Sequence, residues 1–234
     1  MIAGERCTRA CGFCAVSTAK PFALETDEPT RVAEAIRRMK LKHVVITAVA
    51  RDDLSDGGAN HFAETIRAIR DLDPEIVIEV LTPDFNGKEK SLQLVLRARP
   101  DIFNHNLETV ERLTPAVRSR AKYRLSLAVL RRAKELDPDA VTKSGIMLGL
   151  GETETELFRA MDDLREAQVQ VLTLGQYLRP TSNHLPVVEY VHPEVFERYK
   201  EAAAQKGFEY VASGPLVRSS YHAADYRPAR RRTQ

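Results

Sequence analysis

Val141-Thr142-Lys143-Ser144-Gly145-Ile146-Met147-Leu148-Gly149-Leu150-Gly151-Glu152-Thr153 is the stretch on which the fold turns. Its first seven residues are a β-rich run of the kind that builds strands covered on both faces. Glycines lead to Thr153, which with Glu156 makes a capping box. Leu157, Met161 and Leu164 then line one face of the helix it opens. Val169-Gln170-Val171-Leu172-Thr173-Leu174 is the next buried run. Strand, turn, capped helix and strand make a βαβ unit, whose crossover is right-handed.

The same alternation extends in both directions. His43-Val44-Val45-Ile46-Thr47, Ile76-Val77-Ile78-Glu79-Val80-Leu81 and Ile102-Phe103-Asn104-His105 read as further buried strands. Between them, Pro29 opens a helix with Val32, Ile36 and Met39 on one stripe. Phe62, Ile66 and Ile69 form the next stripe, followed by Leu92, Val95 and Leu96, then Tyr123, Leu127 and Leu130. Pro193 starts a last helix with Phe196, Tyr199 and Ala203 inward. These stripes read as plain core packing. About five clear strands and a stub at Met1–Gly4 predict an α/β fold, a partial (β/α)6 TIM-like barrel with a truncated first strand. Residues 1–212 form the barrel and 213–234 a C-terminal tail. In such barrels the working groups lie on loops at the carboxyl ends of strands.

The 234 residues, 43% of them hydrophobic, suffice for one sizeable core. Thirty-five basic and 33 acidic residues leave a net charge of +2, which gives no case for a nucleic-acid partner. No apolar run reaches the roughly 18 residues of a membrane span, and Met1-Ile2-Ala3-Gly4-Glu5-Arg6 turns polar too soon for a signal peptide. A cytoplasmic protein that touches no membrane is the expectation. The end, Arg227-Pro228-Ala229-Arg230-Arg231-Arg232, reads as a frayed, solvated tail.

Three cysteines, the only ones in the chain, fall within Cys7-Thr8-Arg9-Ala10-Cys11-Gly12-Phe13-Cys14. An odd count in an intracellular-looking chain argues against disulfides. Structural zinc normally takes four ligands, so His43 or His61 would have to complete the site at unusual spacing. One loop rarely buries three inert cysteines. Three thiolates can instead hold three corners of a cubane iron–sulfur cluster, leaving the fourth iron open to a small molecule.

Polar segments follow the strands. Thr47-Ala48-Val49-Ala50-Arg51-Asp52-Asp53-Leu54-Ser55-Asp56-Gly57-Gly58 is acidic and glycine-bearing, with Asp53 and Asp56 also readable as solvated loop residues. Asn104-His105-Asn106-Leu107-Glu108-Thr109 can hydrogen-bond ribose hydroxyls or cap the following helix. The glycines before Thr153 offer bare N–H groups to a nucleoside or an anion. Gly175-Gln176-Tyr177-Leu178-Arg179-Pro180-Thr181 is polar again. Lys143 lies in an apolar strand, where a free charge is costly. It pairs either with a buried carboxylate or with a ligand carboxylate, the reading preferred here. Arg124 and Arg179 are further carboxylate candidates, with solvated surface roles equally open.

With these segments in order, the chain resembles the lipoyl synthases of the radical S-adenosylmethionine superfamily, from Met1 to about Tyr221. The resemblance rests on the cysteine loop, Val45-Ile46-Thr47 with Arg51-Asp52-Asp53-Leu54 and Asp56-Gly57-Gly58, Glu79-Val80-Leu81-Thr82-Pro83-Asp84-Phe85, and Phe103 to Thr109. It continues through Thr142-Lys143-Ser144-Gly145, Gly149 to Thr153, Gly175-Gln176-Tyr177-Leu178, His184-Leu185-Pro186-Val187, and Gly214-Pro215-Leu216-Val217-Arg218-Ser219-Ser220-Tyr221.

The resemblance implies a four-iron cluster on Cys7, Cys11 and Cys14 whose open iron chelates S-adenosylmethionine. Reductive cleavage gives a 5′-deoxyadenosyl radical that abstracts hydrogen from a protein-bound octanoyl chain, and sulfur enters at two carbons. Candidate cofactor-binding residues are Thr47, Arg51, Asp52, Asn104, Asn106, Glu108, Arg124 and Lys143. The family draws its sulfur from an auxiliary four-iron cluster, held by an N-terminal three-cysteine motif and by a serine of the Arg-Ser-Ser-Tyr motif, here Ser220. That cysteine motif has no counterpart in this sequence, and Met1-Ile2-Ala3-Gly4 resembles the end of the family's first strand, so an N-terminally truncated form is expected. The implied partners are octanoylated lipoyl-carrier domains, those of 2-oxoacid dehydrogenase complexes and the glycine cleavage H protein, and a reducing electron donor. The alternatives are another radical enzyme without sulfur insertion, an inactive fragment, or a non-catalytic zinc module.

Overall fold

A computed structural model describes residues 1–221, 223–226 and 228. Apart from Pro228, the basic end Arg227–Arg232 lies outside them. The core is a six-stranded parallel sheet in simple sequential order: β3 (His43–Thr47), β4 (Val77–Leu81), β5 (Ile102–Asn104), β6 (Val141–Leu148), β7 (Val171–Gln176) and β8 (Tyr210–Gly214). A separate parallel pair, β1 (Arg6–Cys7) and β2 (Ser17–Thr18), carries the cysteine loop. Sequential order with helical crossovers curls the sheet into the partial barrel expected from the strand–helix alternation.

The six strands are not quite the expected set. The stub at Met1–Gly4 contributes one isolated bridge, Ile2 to Ala48, rather than a strand. The sixth strand is β8, which runs across residues 212 and 213. Its sequence, Tyr-Val-Ala-Ser-Gly, lacks a long apolar run because it is only half covered.

The helices are α1 (Glu28–Met39), α2 (Ala59–Leu72), α3 (Glu89–Arg97), α4 (Thr114–Val117), α5 (Tyr123–Leu136), α6 (Glu154–Glu166) and α7 (Pro193–Gln205). Strand period decides what they cover, since alternate side chains point to opposite faces. Val44, Ile46, Ile78, Val80 and Phe103 meet Ala33, Ile36, Phe62, Ile66 and Ile69 on the outer side. Ile146, Leu148, Leu172 and Leu174 likewise meet Leu130, Leu157, Met161, Leu164 and Phe196. The Thr153–Glu156 capping box forms as the sequence requires. Met39 departs from its expected stripe: it ends α1 and is 60% exposed, while Ala33 takes the inward place.

The inner face differs. At the amino ends of the strands, Val77, Ile102, Val141, Val171 and Tyr210 form an apolar plug, closed by Tyr226. One layer higher, the same face carries Glu79, Asn104 and Lys143. A polar layer over an apolar plug leaves the carboxyl end of the barrel as the place for chemistry.

Candidate functional site

The cysteine loop is fixed before any metal binds. Arg9, 7% exposed, projects from its middle into two carboxylates. Its Nε and Nη2 donate to Asp52 (2.8 Å each), and its Nη1 and Nη2 donate to Asp84 (2.8 and 2.7 Å). Burial works against the Arg9 cation, yet these carboxylates hold its pKa above the ordinary value. The Arg9 hydrogen bond holds Asp52 down to about 2 against the opposing effect of burial. For Asp84, burial pushes upward, but Arg9 prevails and the carboxyl stays below its usual range. Thr8 adds a second tie, its hydroxyl donating to Asp52 Oδ2 (2.9 Å) and to the Ala50 carbonyl (3.0 Å).

The far side of the loop is held by the segment after β7. Leu185 N–H donates to the Gly12 carbonyl (3.0 Å), and Gly12 N–H to the Val117 carbonyl (2.9 Å). His184 Nε2 donates to the Cys14 carbonyl (3.1 Å). The approach is close: a Cβ at Gly12 would lie 2.9 Å from Leu185 Cδ1 and would push that side chain aside. Cys7, Cys11 and Cys14 are free and half-buried. Burial pushes the Cys11 thiol up to about 11 and raises Cys14 as well. Iron binding therefore releases protons from this loop. Among the described residues, no three His, Cys, Asp or Glu side chains converge as they would on a single ion. A soft, all-sulfur donor set spread along a loop instead fits the corners of an iron–sulfur cluster.

Beside the loop lies the polar layer. Lys143 Nζ sits 2.9 Å from Glu79 Oε1 and also donates to the Ser219 carbonyl (2.6 Å). Lys143 is thus paired with a buried carboxylate of the protein, the alternative that the sequence left second. Glu79 is fully buried; burial pushes its pKa up, but His43 and the Lys143 ammonium outweigh this and hold it low. Asn104 Nδ2 donates to Glu79 Oε1 (2.8 Å). Asn106 Nδ2 donates to Ser219 Oγ (2.7 Å) and Glu108 Oε1 (3.1 Å). Burial raises the pKa of Glu108, with the Arg118 charge opposing it. Among the described residues, the Oδ1 atoms of Asn104 and Asn106 are buried without a hydrogen-bond partner. Leaving a buried acceptor bare costs about 1–3 kcal/mol, so such atoms mark a place where ligand donors fit. Gly145 faces this spot: a Cβ there would lie 2.6 Å from Thr173 Oγ1 and 3.0 Å from Asn106 Oδ1.

The structure gathers Asn104, Asn106, Glu108 and Lys143 at the mouth, with Thr47 at the carboxyl end of β3. Arg51 and Asp52 serve the scaffold. Arg51 is spent on Asp53 (2.9 Å), the Ala3 carbonyl (3.1 Å) and the Phe22 carbonyl (2.9 Å). Arg124 stands apart on the exposed side of α5, paired with Glu111 (2.7 Å). Arg179 folds back onto carbonyls of its own loop, His184 and Ser182. Ser220 is exposed in a turn, and Ser219 is the tail serine that meets the polar layer. Glu79 and Arg9 escaped the sequence reading as functional residues. The available signal for Glu79 was a carboxylate inside an apolar strand; Arg9 gave none beyond its place between cysteines.

A parallel barrel with a three-cysteine loop at its carboxyl end defines the class, and the comparisons agree with it. The family profile described as the radical SAM superfamily matches residues 1–164. Methylornithine synthase shares the fold at a TM-score of 0.65 and 12% identity, covering 94% of this chain and 72% of its own. Streptococcus suis SuiB bound to S-adenosylmethionine does so at 0.72 and 12%, covering 90% and 48%. Similarity within the class is much closer for the lipoyl synthase of Geobacillus kaustophilus, 61% identical over 95% of this chain and 75% of that protein. The lipoyl synthase of Rubrobacter xylanophilus is 60% identical over 95% and 70%. The chain belongs to the lipoyl synthase family, radical SAM enzymes of the sulfur-insertion type. Membership implies a four-iron, four-sulfur cluster, S-adenosylmethionine and lipoyl-carrier protein substrates. Among the described residues, no helix is long and apolar enough to cross a membrane.

Proposed function

We propose that Cys7, Cys11 and Cys14 hold the four-iron cluster and that Asn104, Asn106, Glu108 and Thr47 line the S-adenosylmethionine site beside it. When bound, the pair supplies a 5′-deoxyadenosyl radical that removes hydrogen from a protein-bound octanoyl chain, which becomes a lipoyl group when two sulfurs enter. The chain's own residues do the positioning. The Asp52–Arg9–Asp84 clamp sets the loop against the barrel mouth. The close approach of Leu185 to Gly12 and the His184 donor to Cys14 hold its other side. Asn104 and Asn106 offer bare acceptors to the nucleoside or amino group. Glu79 fixes the Lys143 ammonium, which keeps a positive charge in the lumen for a ligand carboxylate that displaces the Ser219 carbonyl.

The observation that carries this reading is a clamped, half-buried thiol triad whose Cys11 and Cys14 feel the charge of Glu108, the hydrogen-bond partner of Asn106 with its bare Oδ1. The segment after β8 is assigned to a tail whose Ser220 ligates the family's auxiliary cluster. Its solvent exposure leaves the hydroxyl accessible. The triad uses every cysteine in these 234 residues, so none of them is left to give that cluster a thiolate. The proposed carriers are octanoylated domains of 2-oxoacid dehydrogenase complexes and the glycine cleavage H protein, and the proposed setting is the cytoplasm, where thiols stay reduced.

Anaerobic reconstitution with iron and sulfide tests the core of this. Wild type is expected to take up four irons per chain and release 5′-deoxyadenosine on reduction, and each Cys→Ala variant neither. Four-iron loading that survives loss of all three thiols refutes the assignment.

A further inference from the structure

Among the described residues, the buried lysine and arginine side chains are Arg9, Arg51, Arg118 and Lys143. Three of them face carboxylates: Arg9 those of Asp52 and Asp84, Arg51 that of Asp53, and Lys143 that of Glu79. Arg118, only 8% exposed, makes no ion pair among the described residues. Its Nη1 donates to the Asn106 carbonyl (3.0 Å), the Leu107 carbonyl (3.1 Å) and Ser126 Oγ (3.3 Å), and its Nε and Nη2 donate to no described residue. A buried cation without a counter-charge is costly. Carbonyl dipoles offset part of that cost and leave the charge itself whole.

The segment that carries Arg118 is tied to the cysteine loop on both sides of it. The Val117 carbonyl accepts from Gly12 N–H (2.9 Å), Ser119 Oγ donates to the Ala10 carbonyl (3.4 Å), and Arg120 Nη1 donates to the Thr8 carbonyl (3.1 Å). The groups around the guanidinium do not cancel it. His105 Nδ1 lies 2.8 Å from the Thr82 carbonyl and so carries its proton there, while Nε2, 2.9 Å from Ser126 Oγ, accepts. That imidazole is neutral, held down to about 4 by burial and then by the Arg118 charge. Glu108 feels the same charge without forming an ion pair, and burial pushes its carboxyl toward the neutral form. The Cys11 thiol feels it as well: after burial, Arg118 acts on it most strongly, in favour of the thiolate.

We propose that Arg118 is the buried counter-charge of the four-iron cluster on Cys7, Cys11 and Cys14 and that it raises the reduction potential of that cluster. The inference rests on the cluster reading above. Three thiolates on a four-iron core carry net negative charge, and one-electron reduction adds another with no bond made or broken. A fixed cation nearby stabilises the reduced form more than the oxidised one, and local charge is one of the quantities that set such potentials. Arg9 cannot serve in this way, since two carboxylates outweigh its single charge.

The test is an anaerobic redox titration, with dithionite as the reductant, of protein reconstituted with iron and sulfide and free of S-adenosylmethionine. Arg118→Gln keeps N–H donors and loses the charge. Its midpoint potential is expected to fall by at least about 59 mV, a tenfold change in the one-electron equilibrium constant, with four irons per chain retained. Arg118→Lys restores at least half of the fall. Ser126→Ala, which removes one hydrogen bond of Arg118 and no charge, keeps the wild-type potential. Arg118→Gln loaded with four irons at the wild-type potential overturns the proposal. An equal fall in Arg118→Lys or Ser126→Ala also overturns it, because packing and not charge then sets the potential. If Arg118→Gln and Arg118→Met both fail to hold a cluster, Arg118→Lys decides: four irons there support the counter-charge, and failure in all three overturns it. Wild type that takes up no cluster overturns the cluster reading instead, and this proposal falls with it.

Discussion

Replacing Arg9 with methionine removes the one cation between Asp52 and Asp84 while keeping most of the side-chain volume. Asp84 is 1% exposed, so its carboxylate is left buried without a counter-charge. Breaking such a pair from one side costs about 3–5 kcal/mol. Asp52 is 22% exposed and loses a bridge of the surface kind, worth about 0–1 kcal/mol. The expected loss is about 4 kcal/mol, against a total of about 5–15 for an ordinary domain. Its pH dependence has a definite sign. Both carboxylates are held below their usual range in the native protein, Asp52 at about 2, so the stability they contribute is complete above about pH 4. It is lost as pH falls through the native values. In the variant the strongest downward pull on the two carboxyls is gone, leaving Asp52 its Thr8 and Asn86 donors and Asp84 only the Asn86 N–H, and Asp84 protonates earlier as the solution is acidified. The gap between the proteins is therefore widest near pH 7 and narrows below about pH 4. Urea unfolding of the metal-free, reduced proteins at both pH values measures it. A double variant, Arg9→Met with Asp84→Asn, removes the buried charge and is expected to recover about 2 kcal/mol. A loss under about 1 kcal/mol at pH 7, or a double variant no more stable than the single, refutes the clamp.

Two further outcomes follow from the lumen. Gly145→Ala introduces a Cβ 2.6 Å from Thr173 Oγ1 and 3.0 Å from Asn106 Oδ1. It should raise the S-adenosylmethionine concentration for half-maximal nucleoside release about tenfold, with iron content unchanged; an unaltered binding curve speaks against Asn106 as a ligand contact. Lys143→Met strands the fully buried Glu79 and should cost about 3–5 kcal/mol by urea unfolding, most of it restored by adding Glu79→Gln. Equal stability of the two variants would mean that the pair does not act as a unit.

The outer half of each strand was legible because burial on both faces leaves near-continuous apolar runs, as in His43–Thr47 and Val171–Gln176. Helix faces were legible through period 3.6, except at Met39, where the helix ends and its last turn reaches solvent. The strand at Tyr210–Gly214 was not, since a half-covered edge needs no strong pattern. For the site, the thiol triad and the residues of Asn104–Glu108 were found as candidates. Arg124 and Arg51 illustrate why the rest was not: an arginine near a strand end can face a ligand, a neighbouring carboxylate or a carbonyl, and only contacts distant in sequence decide which.

What the chain alone settles is chemistry that resides in residue types and their spacing. Three thiols in eight residues with no other cysteine, strand–helix alternation and a capped turn after a glycine run hold wherever the chain goes. What only the three-dimensional arrangement decides is which charges meet. Arg9 finds Asp84 across 75 positions, and Lys143 finds Glu79 across 64. Pairing over such separations depends on β-register and loop packing, not on local propensity. The clamp around the cysteines and the polar layer beneath them are therefore properties of the folded barrel.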